Sequence, residues 1–150
     1  MRVVLQRVSE CNVLSNGIVT ANIQRGILVL LGIESNDTED DIEWLVKKIT
    51  EIRIFDDQEG KMNLSVRDIK GDIVLVSQFT LHASTRKGNR PSFIKAAKPE
   101  EAIPLYDRFL SKLQTTFGKK IQTGIFGADM KVSLSNDGPV TIIIDSKNRE

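Results

Sequence analysis

The chain has 150 residues, enough for one domain (1–150) with a sizeable core and too few for two independent ones. Its 40% hydrophobic and 27% charged residues and its formal net charge of +1 lack the basic excess of a general nucleic-acid binder, and no apolar run approaches the ~18 residues of a membrane span. A single cysteine, Cys11, excludes an internal disulfide, and a single histidine, His82, leaves no His/Cys cluster with metal-ligand spacing, so no metal or cofactor is expected.

In chain order, "MRVVLQRVSE" is broken by Gln6 and Arg7 and has no small-residue cleavage site, so no export signal is read and a cytoplasmic protein is expected. "VVLQRV" and "CNVLSNGIVTANI" read as strands, with Asn16-Gly17 as the type I′ turn of a hairpin. "GILVLLGI" is a continuous apolar run, as in a strand covered on both faces. Ile42, Leu45, Val46, Ile49 and Ile52 then recur at helical spacing, with acids crowding the first turn, where they complement the helix dipole. "IVLVSQFTL" reads as a second buried strand that turns polar. If it stays extended, Ser77, Phe79 and Leu81 share one face and Gln78 and Thr80 the other. A helix is expected from about Pro99 to Leu113, with Pro104 either kinking it or marking its true first turn. "MKVSL" and "VTIIID" read as paired strands around the turn residues of "NDGP", and "SKNRE" as a frayed tail. Strands first and last with two helices between predict an α+β domain on a mainly antiparallel, barrel-like sheet. Apolar strands and few aromatics leave an edge or face that a second subunit would cover, so a homodimer is expected.

Chemistry has few places to reside. There is no Walker loop, GxGxxG or HExxH pattern, and a catalytic triad lacks candidate bases. The acidic "DDQEG" reads as a solvated turn, since it lacks calcium-loop spacing. Hydroxyls and an amide at the end of an apolar strand, Ser77, Gln78 and Thr80, either find backbone partners or orient a ligand carbonyl beside backbone N–H donors. From His82 to Lys98 there are basic residues, Arg86, Lys87, Arg90, Lys95 and Lys98, and no acid; the segment is either a solvated run or a phosphate-binding one.

"SQFTL" at 77–81 together with "NDGPVT" at 136–141 resembles the two signature motifs of the D-aminoacyl-tRNA deacylases, which hydrolyse D-amino acids from mischarged tRNA. The likeness continues in order through "QRV" (6–8), "RIF" (53–55), "GKMNLSV" (60–66), "RPSF" (90–93), "LYDRF" (105–109) and "ADMKVSL" (128–134), over essentially the whole chain. The resemblance implies a homodimer with active sites at the subunit interface and a cis Gly138-Pro139 peptide inserted into the partner's pocket. It also implies that Ser77, Gln78, Phe79 and Thr80 line the site where the aminoacyl group meets the terminal adenosine, that Arg7 holds the Gly-Pro loop, and that Phe126 and Met130 lie near the pocket. Thr80 is then a candidate nucleophile, but no activating base stands beside it in the sequence. The expected mechanism instead uses the adjacent ribose 2′-hydroxyl to help activate water. Sparing every L-aminoacyl-tRNA calls for a backbone wall where the L side chain would point; such a wall would leave glycyl-tRNA a substrate. A nucleic-acid-binding module without hydrolysis, using the basic segment, and an editing domain for other misacylated tRNAs are the alternatives.

Overall fold

A computed structural model describes residues 1–150. In chain order the elements are β1 (Arg2–Ser15), β2 (Ile18–Ile23), β3 (Gly26–Gly32), α1 (Glu39–Glu51), β4 (Phe55–Asp56), β5 (Met62–Leu64), β6 (Asp72–Ser77), a 3-10 turn (Phe79–His82), α2 (Pro99–Phe117), β7 (Gln122–Thr123) and β8 (Met130–Asp145). Strand β1 is the spine: one edge pairs with β3 over Arg2–Val8 and with β2 over Cys11–Ser15, and the other pairs with β8 over its whole length, all antiparallel. The β1–β2 turn is closed by Asn16 and Gly17, both at positive φ (50° and 81°), as the Asn-Gly pair demands. β6 and then β7 add in parallel to β3, so the sheet is mainly rather than wholly antiparallel. It curls until Asn22 N–H on β2 donates to the Gln122 side chain on β7 at 2.7 Å, nearly closing a barrel.

Two clusters fill this frame. Alternate residues of β1 (Val3, Leu5), β3 (Ile27, Val29, Leu31) and β6 (Ile73, Leu75) meet the apolar stripes of α1 (Ile42, Leu45, Val46, Ile49) and α2 (Leu105, Phe109, Leu113). Inside the curl, Val8, Cys11, Val13, Ala21, Ile23, Leu28, Val74 and Val76 form the second. β3 thereby has both faces covered, which explains its unbroken apolar run. Cys11 is a packing residue, its thiol pushed up to about 11 by burial.

Two local expectations fail, and one of two alternatives for Pro104 is ruled out. The runs flanking "NDGP" do not fold back on each other: they are collinear halves of β8, both paired with β1. Two ladder pairs, Gln6 with Thr141 and Val8 with Asn136, leave Asp137–Val140 bulging opposite Arg7. Pro104 is not the first turn of α2. That place belongs to Pro99, and Pro104 sits inside a helix that runs to Phe117, where Gly118 ends it at φ 75°. The tail is not frayed: Ser146 is buried, Lys147 reaches Asp41 at 2.6 Å and Asp37 at 3.7 Å, and Arg149 pairs with Asp40 and lies 4.9 Å over the Trp44 ring.

Asp41 joins this tail to the start of α1, where with Thr38 it forms the capping box. Burial works to raise its carboxyl, but hydrogen bonds from Lys147, Ser146 and Thr38 outweigh burial and hold it well below the usual carboxylate range. Its folded-state value is depressed, so its stabilisation is full above the ordinary unfolded value of ~3.9 and is lost as pH falls below that. Denaturant titrations from pH 7 to pH 2 should show Asp41→Asn less stable than the parent at neutral pH by about 2 kcal/mol, with the gap closing in acid. A gap that stayed constant would deny the linkage.

Candidate active site

The polar end of β6 does not stay extended. Gln78 N–H makes a last ladder bond to Leu31 O at 2.7 Å, and the chain then turns into the 3-10 turn Phe79–His82. Gly32 at the end of β3 makes room for this: a Cβ there would stand 3.0 Å from Leu81 Cβ and 2.9 Å from the His82 ring. The expected alternation of faces beyond Ser77 is therefore replaced by a tight turn. Leu81 N–H donates to Gln78 O and Ala83 N–H to Thr80 O, while the N–H groups of Phe79 and Thr80 have no acceptor within the chain. Arg2 Nη1 donates to Leu81 O at 2.7 Å and fixes the far end of the turn. The Gln78 amide donates to Thr80 Oγ1, and no ionisable group hydrogen-bonds that hydroxyl.

Beside the turn lies a pocket of about 600 Å³. Ser77, Gln78 and Phe79 line it together with Phe126 and Met130, so five of the expected site residues converge. Phe126 is held edge-on by Tyr106, ring centroids 5.5 Å apart, and Met130 lies against Gly124, where a Cβ would fall 2.2 Å from its sulfur. The rest of the lining carries no chemical signal at the level of sequence. Ala96, Ala97, Ala102 and Ala128 create space by being small, and Phe93 meets Phe79 edge-to-face at 5.1 Å. None of the 16 lining residues is ionisable. Thr80 is exposed and outside the lining.

Arg7, Gly138 and Pro139 form a second constellation that does not line this pocket within one chain. The Arg7 side chain, only 7% exposed, donates to Ile54 O at 2.8 Å and Asp137 O at 3.1 Å, and pairs with Asp137 Oδ2 at 3.3 Å and Asp56 Oδ1 at 3.4 Å. Asn136 braces the other side of the bulge, its amide donating to Arg7 O and Val140 O at 3.0 Å each. The Gly138-Pro139 peptide is cis, with Gly138 at φ 124°, a conformation suited to glycine; both residues are exposed.

The basic residues sit on a loop pinched by reciprocal backbone bonds between Ser84 and Ser92 at 2.8 and 2.9 Å. Arg86, Lys87 and Arg90 lie within it and Lys95 just beyond, all exposed. The loop leads through Phe93 directly to the pocket wall.

A family profile described as D-Tyr-tRNA(Tyr) deacylase matches residues 4–145. The chain belongs to this family. Among its relatives, the D-aminoacyl-tRNA deacylase of Flavobacterium johnsoniae is 65% identical and that of Bacteroides fragilis 59%, each over the full length of both chains. A solved structure named c-Myc DNA unwinding element binding protein superposes with a TM-score of 0.91 at 44% identity, over 97% of this chain and 98% of the other. A probable eukaryotic D-amino acid tRNA deacylase shares the fold at 21% identity, with a TM-score of 0.81 over 95% and 97%. The enzyme is thus an aminoacyl-tRNA deacylase, a hydrolase of the ester that joins a D-amino acid to tRNA. No helix of this deacylase is long and apolar enough to cross a membrane.

Proposed function

We propose that the pocket beside the 3-10 turn is where this deacylase hydrolyses D-aminoacyl-tRNA, and that it does so without a protein general base. The observation carrying this reading is a pair of unused backbone donors, Phe79 and Thr80 N–H, at the edge of a pocket with no ionisable lining. An aminoacyl ester is already labile, so orientation and an oxyanion site suffice. Each well-placed donor lowers the barrier by about 3–4 kcal/mol. Thr80, hydrogen-bonded to Gln78 and far from any activating base in the bonding network, positions substrate rather than attacking it. The water is activated by the substrate's own 2′-hydroxyl, Ser77 and Gln78 orient the ester, and Phe126 and Met130 shape the aminoacyl pocket.

Chirality is read by a backbone wall. Gly138 and Pro139 project from a bulge that is braced by Arg7 and Asn136 yet lies outside its own chain's pocket, which supports insertion into the pocket of a second copy. β8 is the edge strand that would carry this homodimer, with Ile143 still 69% exposed. Arg86, Lys87, Arg90 and Lys95 contact acceptor-stem phosphates, since their loop abuts the pocket through the Phe79–Phe93 pair. A tRNA substrate supports a cytoplasmic location for the enzyme.

Matched D-tyrosyl-, L-tyrosyl- and glycyl-tRNA test the reading. The D ester should be cleaved at least about 100-fold faster than the L ester, and the glycyl ester, which has no side chain to collide, should be cleaved measurably. Equal cleavage of D and L would defeat the chiral wall; a wholly resistant glycyl ester would defeat its steric nature.

A further inference from the structure

We infer that His82, acting through Glu34, is a positioning residue for deacylation that holds the 3-10 turn at its working distance from the opposite pocket wall. The ring is 4% exposed, and neither of its nitrogens has a protein hydrogen-bond partner. Nδ1 nevertheless stands 3.0 Å from Glu34 Oε1, within ion-pair reach but out of hydrogen-bond alignment. A buried polar group left in this condition is destabilising, and a leucine in the same space would avoid that cost. Packing therefore does not explain an imidazole here.

The two residues belong to the two sides of the site. His82 ends the turn that presents Gln78, Phe79 and Thr80, and its ring lies over Gly32. Glu34 follows β3 and forms a bridge with Ala96, and its neighbour Ile33 accepts from Ala97 N–H at 2.9 Å; Ala96 and Ala97 line the opposite wall. Glu34 is itself anchored, its N–H donating to Asp37 Oδ2 at 2.7 Å. A contact between ring and carboxylate thus sets the separation of turn and wall, and with it the position of the two free N–H donors. Catalytic hydrogen bonds are often misaligned in a free enzyme and tighten with substrate bound. The His82–Glu34 geometry has that character: close at 3.0 Å and largely shielded, yet out of hydrogen-bond alignment. Contacts completed only as the reaction proceeds show in kcat rather than KM.

The inference rests on the pocket being the active site, and the experiment separates the two. In His82→Leu the denaturation midpoint should hold or rise while kcat falls about 10- to 100-fold and KM stays within about 3-fold, the penalty of an ångström-scale misplacement. His82→Asn, whose amide can offer a donor near the place of Nδ1, should recover most of the lost kcat. Adding Glu34→Gln to His82→Leu should cost nothing further. Wild-type kcat in His82→Leu, or a loss that Asn does not rescue, overturns the inference. Should His82→Leu not fold, Glu34→Gln alone decides it: reduced kcat at an unchanged midpoint supports the pair, and wild-type kcat refutes it. Gln78→Ala, Phe79→Ala is the control for the site itself; full activity in that double variant would remove the pocket reading, whatever His82 does.

Discussion

Arg7→Ala is expected to abolish most D-aminoacyl-tRNA hydrolysis and to lower stability by about 2–3 kcal/mol. The stability loss does not come chiefly from ion pairs. Asp56 and Asp137 are 47% and 44% exposed and can rehydrate once the guanidinium is gone. It comes from the Ile54 and Asp137 carbonyls, which lose their donors, and from the space left by a side chain only 7% exposed. The activity loss is larger because the same fork ties the 137–140 bulge to the β4 region, and no other side-chain hydrogen bond or ion pair joins the two. Arg7→Lys keeps the charge but cannot reach two carbonyls in different directions, so it should retain stability better than activity. Deacylation rates and urea midpoints measured on both variants check this. If Arg7→Ala kept more than half of the parental rate, the bulge would have no part in the reaction.

A substrate ending in 2′-deoxyadenosine, with the D-amino acid on the 3′ oxygen, should be hydrolysed about 10³-fold more slowly or worse. General-base assistance contributes ~10²–10⁴ in rate, and no lining residue can supply it. His82 is not a hidden base, since its ring is enclosed beneath the turn against Gly32. Single-turnover rates on the deoxy and ribo substrates make the comparison free of product release. Similar rates on both would mean that the enzyme activates water by a group of its own.

Much of the fold was legible because its signals are local. The Asn16-Gly17 turn, the apolar run of β3 and the helical stripes of α1 and α2 each depend on neighbours within a few residues. What failed depends on distant partners. Whether the runs around Gly138 fold back or continue is decided by β1, which offers one unbroken edge to both. The turn after Ser77 is permitted by Gly32, and the tail is held by acids on α1, so a polar pentapeptide that reads as free is in fact fastened. The site divides the same way. Ser77, Gln78, Phe79, Phe126 and Met130 do meet in one pocket, whereas the alanines that give it volume carry no chemical signal. Arg7 stands beside Gly138 and away from that pocket.

The placement of the bulge inside β8 has a consequence for how the enzyme can change. Before the bulge, Met130, Val132 and Leu134 pack on the cluster within the curl; after it, Val140, Ile142 and Ile144 pack on the helix-covered one. A hairpin tip is a cantilever that can grow or shrink with little effect on its strands. This segment is a beam fixed at both ends, and its length sets the phase of everything beyond it. One added residue would turn Val140, Ile142 and Ile144 outward and Thr141 and Ile143 inward, stripping three apolar side chains from the flank of the helix-covered core. The bulge proposed to read the substrate's handedness is thereby held to a fixed length, as the φ of 124° at Gly138 restricts its composition.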